Sequence, residues 1–252
     1  MIWMKNITKK YGDKLVVDTS NLTLPKGKIV AFIGSNGAGK STLLSIISRT
    51  LSRNSGEVYI DDVELKKWKS EELSKRLAIL KQSNHLNIRL TVRELVSFGR
   101  YPHSKGKLTQ NDIDKIDQAL EYLNITELQD RYLDELSGGQ RQMAYIAMTV
   151  AQDTEYIFLD EPLNNLDMLH SVRIMKIIRK LVDELNKTVF VVIHDINFVS
   201  CYADHIIAMK HGKVIQDGPK EEVLTEAVLK EIYGMDINIR EIEGKNICLY
   251  YG

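Results

Sequence analysis

Gly34-Ser35-Asn36-Gly37-Ala38-Gly39-Lys40-Ser41, with Thr42 next, stands between the apolar run Ile29–Ile33 and a stretch where Leu43, Leu44, Ile46, Ile47 and Leu51 recur at helical spacing. Buried strand, glycine loop, helix start: this order turns backbone N–H groups inward toward phosphate oxygens and adds the positive end of a helix dipole. Lys40 is then spaced to reach the β and γ phosphates of a nucleotide, and Ser41 to offer its hydroxyl to Mg²⁺. A turn that merely links a strand to a helix has no need of Lys followed by Ser at this spacing. The segment predicts an α/β nucleotide-binding core.

Outward from the loop, the first ~60 residues read as β-rich. Apolar clusters at Val16–Val17, Leu22–Leu24 and Val58–Ile60 are separated by Gly, Pro and Asp. Between Thr91 and Ala151 the period changes to three or four residues, through Ile113, Ile116, Leu120 and Leu123, which predicts an inserted helical subdomain. Compact apolar runs return at Tyr156–Leu159 and Val189–Ile193, separated by a periodic helix around 172–185. Strand, helix, strand of this kind predicts parallel crossovers. Ile206–Met209 and Val214–Ile215, around His211-Gly212, read as a hairpin before two short helices, and the tail from Ile237 suits a small terminal hairpin. The expected organisation is one domain: about 1–90 and 152–236 as core, about 91–151 as helical insert, about 237–252 as tail.

Two carboxylates, Asp160-Glu161, end the run Tyr156–Leu159, at the strand edge where open α/β sheets bind ligands. Asp160 is suited to hold Mg²⁺, directly or through water, and Glu161 to act as general base for water attacking the γ phosphate. Gln82 follows Leu77–Leu80 and His194 follows Val189–Ile193, so both are expected at the same edge. His194 there could contact the γ phosphate and position the attacking water, and Gln82 could coordinate Mg²⁺ or report its presence to a neighbouring surface. Leu136-Ser137-Gly138-Gly139-Gln140 precedes an apolar helix that Ser137 is suited to cap, a second anion-ready helix start. One triphosphate does not need both starts, which leaves room for a second chain to supply one of them.

With LSGGQ at 136–140 the sequence resembles the ABC ATPases, over most of the chain. The resemblance implies a P-loop NTPase core with a mixed, mainly parallel sheet, an N-terminal antiparallel β subdomain and an inserted helical subdomain. It implies that Tyr11 stacks on adenine, that the 34–42 loop holds ATP, and that Gln82, Asp160, Glu161 and His194 serve metal and water. It further implies a head-to-tail dimer in which Ser137, Gly138, Gly139 and Gln140 meet the nucleotide of the other copy, with Asp167 linking the two sites. The segments Thr91–His103 and Pro162–Met168 look like those of ferric siderophore importer ATPases, with cobalamin and haem importers as near relatives. The implied partners are a second copy, integral membrane permease subunits contacting Gln82–His103, and indirectly an extracytoplasmic substrate-binding protein. The implied location is the inner face of the cell membrane.

Composition narrows the alternatives. The 252 residues, 44% hydrophobic, can bury a core, and 34 basic residues balance 34 acidic ones, so no field favours nucleic acid. Lys66-Lys67-Trp68-Lys69 reads as a solvated edge with one packed Trp. Cys201 and Cys248 form no CxxC pair, and His85 and His103 read as surface residues rather than metal ligands. No apolar run approaches the roughly 18 residues of a membrane span, and Met1–Met4 before Lys5 is too short for a signal-peptide core. A soluble chain is expected. Asn186-Lys187-Thr188-Val189 lacks the aspartate of a guanine-reading motif, against a GTPase switch. A soluble ABC ATPase of a cofactor-assembly complex remains the alternative to an importer subunit.

Overall fold

The computed structural model describes residues 1–82 and 88–251. His85, and with it part of the expected Gln82–His103 contact region, lies outside the described residues.

Strands β1 (Ile2–Tyr11), β2 (Lys14–Thr19), β3 (Leu22–Leu24) and β4 (Ile29–Ile33) lead to helix α1 (Lys40–Ile47), after which β5 (Ser55–Ile60) and β6 (Val63–Glu64) return to strand. A short α2 (Ser70–Leu73) and β7 (Leu77–Leu80) come before a helical run of α3 (Val92–Phe98), α4 (Tyr101–Ser104), α5 (Gln110–Tyr122) and α6 (Gly138–Ala151). Strand and helix then alternate through β8 (Tyr156–Asp160), α7 (Met168–Asp183), β9 (Thr188–Val192), α8 (Ile196–Tyr202), β10 (His205–Lys210) and β11 (Lys213–Pro219). The chain closes with α9 (Lys220–Val223), α10 (Glu226–Tyr233), β12 (Asn238–Ile242) and β13 (Lys245–Leu249). It forms two compact units, Met1–Trp68 with Thr188–Gly252, and Lys69–Lys187.

In the first unit, β1 runs antiparallel to β2, β3 and β5. Its inward face passes from Ile2 and Met4 to Ile7, an odd step that a strand allows only where its register shifts. Asn6 makes that shift at φ 51, and Gly56 opposite admits it, since a Cβ there would lie 2.3 Å from the Asn6 carbonyl oxygen. The other sheet of this unit is mixed: β10, β4 and β9 are parallel neighbours and β11 is antiparallel to β10. Every residue of β4 and β9 is buried, as the unbroken apolar runs predict for parallel strands covered on both faces. α1 ends at Ile47, a turn before Leu51, because Ser48 caps it and Arg49 turns left-handed at φ 59. β11 runs through Asp217-Gly218-Pro219 instead of stopping there. The terminal β12–β13 hairpin turns at Glu243-Gly244, both at positive φ.

In the second unit, β7 and β8 pair in parallel, and α3 to α6 span 92–151. Thr91, Thr109 and Ser137 each cap a helix with a reciprocal box to the acid or amide three residues on. Arg100 and Asp112, each 3% exposed, join at 2.9 Å, and Arg100 also donates to the Ala151 carbonyl at 2.8 Å, tying the α4 and α5 starts to the end of α6. α7 buries Ile174, Met175, Ile177, Ile178, Leu181 and Val182 along one stripe, each such side chain stabilising by about 1.5–3 kcal/mol. Among the described residues no helix is long and apolar enough to cross a membrane.

Candidate functional site

The expected site residues fall into one group in each unit. In the first, the buried β4 delivers the chain to Gly34, whose φ of 141 and lack of a side chain are both required: a Cβ would lie 2.1 Å from the Met209 carbonyl oxygen on β10. Gly37 takes φ 77 and Gly39 φ 98, and Gly39 stands so close to β2 that a Cβ would be 2.7 Å from the Val16 carbonyl oxygen. Ala38 is pinned between Ser35 and Gly212, its N–H donating to Ser35 O at 3.1 Å and its carbonyl accepting from Gly212 N at 3.0 Å. Ser35 is half-buried and Asn36 and Gly37 are exposed, so the loop crest faces solvent.

Lys40 opens α1 and is 5% exposed, and its ammonium donates to the carbonyls of Gly34 at 2.8 Å and Ser35 at 3.1 Å. A cation folded back over its own loop keeps its charge solvated by backbone until an anion replaces those carbonyls. Ser41 and Thr42 follow on the first turn, both half-buried. His194 is exposed two residues beyond β9, the parallel neighbour of β4, so it leaves the sheet at the edge where the glycine loop starts. Tyr11 ends β1 with 52% of its surface exposed and the Lys9 ammonium 5.2 Å from its ring centroid.

In the second unit, the register Leu80↔Leu159 brings the carboxyl ends of β7 and β8 level. Gln82 and Glu161 therefore meet: the Gln82 amide donates to Glu161 Oε2 at 2.6 Å. Glu161 holds a left-handed φ of 51, an uncommon conformation for a glutamate and of a kind that gathers at working sites. Asp160 is half-buried at the end of β8. Among the described residues no group of three or more His, Cys, Asp or Glu side chains forms a metal cage. The Asp160 carboxylate and the Gln82 amide oxygen, at the level ends of β8 and β7, are instead the sparse kind of oxygen donor that suits Mg²⁺ carried by phosphates and water.

Ser137 caps α6, its hydroxyl accepting from Gln140 N at 3.2 Å while Gln140 Oε1 accepts from Ser137 N at 3.1 Å. Gln142 on the same helix donates to the Pro162 carbonyl at 2.9 Å, linking α6 to the loop after β8. Asp167 caps α7, accepting from His170 N at 2.8 Å. Its carboxyl is held below the usual carboxylate range, first by that backbone N–H and then by the His170 ring. Three residues beside these groups escaped sequence reasoning. His170 touches both Asp167 and Gly139, and its position three after a capping aspartate was an available signal. Asn197 holds the tail, accepting from Cys248 N at 2.8 Å and donating to Cys248 O at 3.3 Å. Tyr233 has its hydroxyl pushed up to about 12 by burial, with the Gly34 amide acting in the opposite direction. No local pattern marks Tyr233 or Asn197.

A strand–glycine loop–helix cradle in a mixed α/β sheet, with a second Ser-capped Gly-Gly helix start and paired acids after a buried strand, defines a P-loop nucleotide-binding cassette. The sequence pattern of the ABC transporter family matches residues 17–164, and the chain belongs to that family. It is 55% identical over 251 residues to the petrobactin import ATP-binding protein YclP of Bacillus subtilis (strain 168), covering 100% of both chains. It is 40% identical over 245 residues to the iron(3+)-hydroxamate import ATP-binding protein FhuC of the same organism, covering 96% of this chain and 91% of that one. In three dimensions it resembles a metal-chelate type ABC transporter solved in an inward-facing conformation, with TM-score 0.84, 26% identity, and 99% and 98% of the two chains covered.

Proposed function

We propose that this chain is the ATP-hydrolysing subunit that powers a membrane importer of a ferric siderophore or related iron chelate, working as a pair of copies that close on ATP. The observation that carries the ATPase reading is the coexistence in one chain of a Gly34–Ser41 cradle and a separate anion-ready α6 start at Ser137. The import reading is supported by 55% identity, over the full length of both chains, with the petrobactin import ATP-binding protein.

In this reading the 34–42 loop wraps the phosphates, Lys40 exchanges its two loop carbonyls for the β and γ phosphates, and Tyr11 stacks on adenine. Ser41, Asp160 and Gln82 would hold Mg²⁺, which when bound neutralises charge on the phosphates. Gln82, with its amide nitrogen committed to Glu161, has its amide oxygen for that task. Glu161 accepts the proton of the attacking water and His194 orients that water. Ser137, Gly138, Gly139 and Gln140 address the γ phosphate held by the other copy, and Asp167 links the two sites. Residues about 1–90 and 152–236 serve as the nucleotide-binding core, about 91–151 as the signature-bearing subdomain and about 237–252 as the tail of one domain. The partners are permease subunits in the membrane, reached from the cytoplasmic side, and through them an extracytoplasmic binding protein; nucleic acid is not a partner.

The test is Glu161→Gln. ATP binding should persist while turnover falls roughly 10²–10⁴-fold, the range of general-base catalysis. Near-normal turnover would remove Glu161 from the role.

A further inference from the structure

Gly138 and Gly139 are neighbours in sequence but not in surroundings. A Cβ on Gly138 would meet nothing within 4 Å, whereas one on Gly139 would lie 2.1 Å from Cδ2, 2.4 Å from Cγ and 2.7 Å from Nε2 of His170. The imidazole fills the volume that any side chain at Gly139 would need. Its opposite edge faces Asp167, with Nδ1 at 2.8 and 2.9 Å from the two carboxylate oxygens. A ring nitrogen between two carboxylate oxygens donates, so Nδ1 carries a proton whether the ring is neutral or charged. The backbone N–H of His170 binds the same carboxylate. One residue therefore grips Asp167 twice and abuts the second glycine of the Ser137–Gln140 turn, and all these contacts lie within one compact unit.

We propose that His170 is a positioning residue that fastens the Asp167 loop to the start of α6, so that the two elements offered to the second chain move as one piece. The inference rests on the closed-dimer reading above. The reason is geometric: Ser137 and Gln140 satisfy each other locally, their reciprocal hydrogen bonds running within the turn rather than to α7. His170 supplies that anchor, and a site assembled from two chains works only when its parts keep their places within about 0.5 Å. It also gives Gly139 a requirement inside its own chain, which Gly138 does not have.

The test uses the full chain carrying Glu161→Gln as parent, with His170→Ala, His170→Asn, Gly139→Ala and the pair Gly139→Ala/His170→Ala added to it. Sedimentation with Mg-ATP reads dimer formation, and backbone hydrogen exchange without nucleotide reads the turn and the loop. His170→Ala should bind ATP within about twofold of parent yet need about tenfold more protein to dimerise, a coupling of ordinary size for residues in contact. His170→Asn, whose amide nitrogen can replace Nδ1 as donor, should recover part of that loss. Gly139→Ala should be impaired more than the pair, because removing the ring frees the space. Exchange should accelerate together at 138–142 and 167–171. Dimerisation of His170→Ala at parent concentrations, or exchange that is unchanged or accelerates in one element alone, would overturn the proposal. A parent that stays monomeric would count against the closed-dimer reading instead, and the exchange result would then decide on His170 by itself.

Discussion

Replacing Asp112 by Asn removes the negative charge from a buried ion pair with little change of shape. Asp112 Oδ1 accepts from Arg100 Nε at 2.9 Å, while Oδ2 accepts from Thr109 N at 2.9 Å and Thr109 Oγ1 at 2.7 Å. Asn can keep an acceptor for Thr109 but then turns an N–H toward the guanidinium, leaving Arg100 buried without its counter-charge. Breaking a buried pair in this way costs about 3–5 kcal/mol. Arg100 keeps its bond to Ala151 O, and screening at a helix start lowers the figure, so a loss of about 2–3 kcal/mol is expected. Urea titration of both proteins at pH 7 measures it as a shift in midpoint at constant slope.

The pH dependence has a definite sign. Hydrogen bonds from the Thr109 backbone and hydroxyl, then the Arg100 guanidinium, hold the Asp112 carboxyl at about 2, below its ordinary 3.8. Folding therefore favours the ionised form, and the contribution is complete above about pH 4 and disappears as pH falls through about 2. The gap between wild type and Asp112→Asn should be flat from pH 5 to 7 and narrow below about pH 4. A gap under about 0.5 kcal/mol at pH 7, or one that widens on acidification, would mean that the Asp112 charge does not stabilise this pair.

Two further predictions concern backbone space and the tail. Gly34→Ala forces a Cβ onto the Met209 carbonyl and should cost about 3 kcal/mol or more, whereas Gly37→Ala meets no atom within 4 Å and should cost only the left-handed backbone penalty of about 1–2 kcal/mol. Equal midpoints for the two in urea would contradict that ranking. Asn197→Ala strips the partner from the Cys248 N–H, at about 1–3 kcal/mol, and should speed hydrogen exchange in β13 while leaving β4 protected. Unchanged exchange at Cys248 would mean that Asn197 does not hold the tail.

The glycine loop was legible because its constraints are local: φ values that favour glycine, close backbone neighbours and a Lys-Ser pair at fixed spacing all leave marks on adjacent residues. The acids after β8 and the Ser137 cap were legible for the same reason. β1 as one ten-residue strand was not, because Lys5, Asn6, Lys9 and Lys10 break the alternation and the register shift that rescues it depends on Gly56 across the sheet. α8, of seven residues, is too short for its period to stand out, and it is held by contacts with β13 about fifty residues later. The end of α1 escaped because Leu51 continues the apolar spacing past a turn set by Arg49. His170 matters through a contact with a glycine, and a glycine offers no side chain to betray what packs on it.

The most direct test of the central claim starts from tagged Glu161→Gln protein added with Mg-ATP to gently solubilised native membranes. Mass spectrometry then identifies what co-purifies. A polytopic permease, retained with ATP and released without it, is the expected result. Reproducible recovery of soluble partners alone, with membrane extraction verified, would contradict the importer assignment and favour an assembly ATPase with the same nucleotide chemistry.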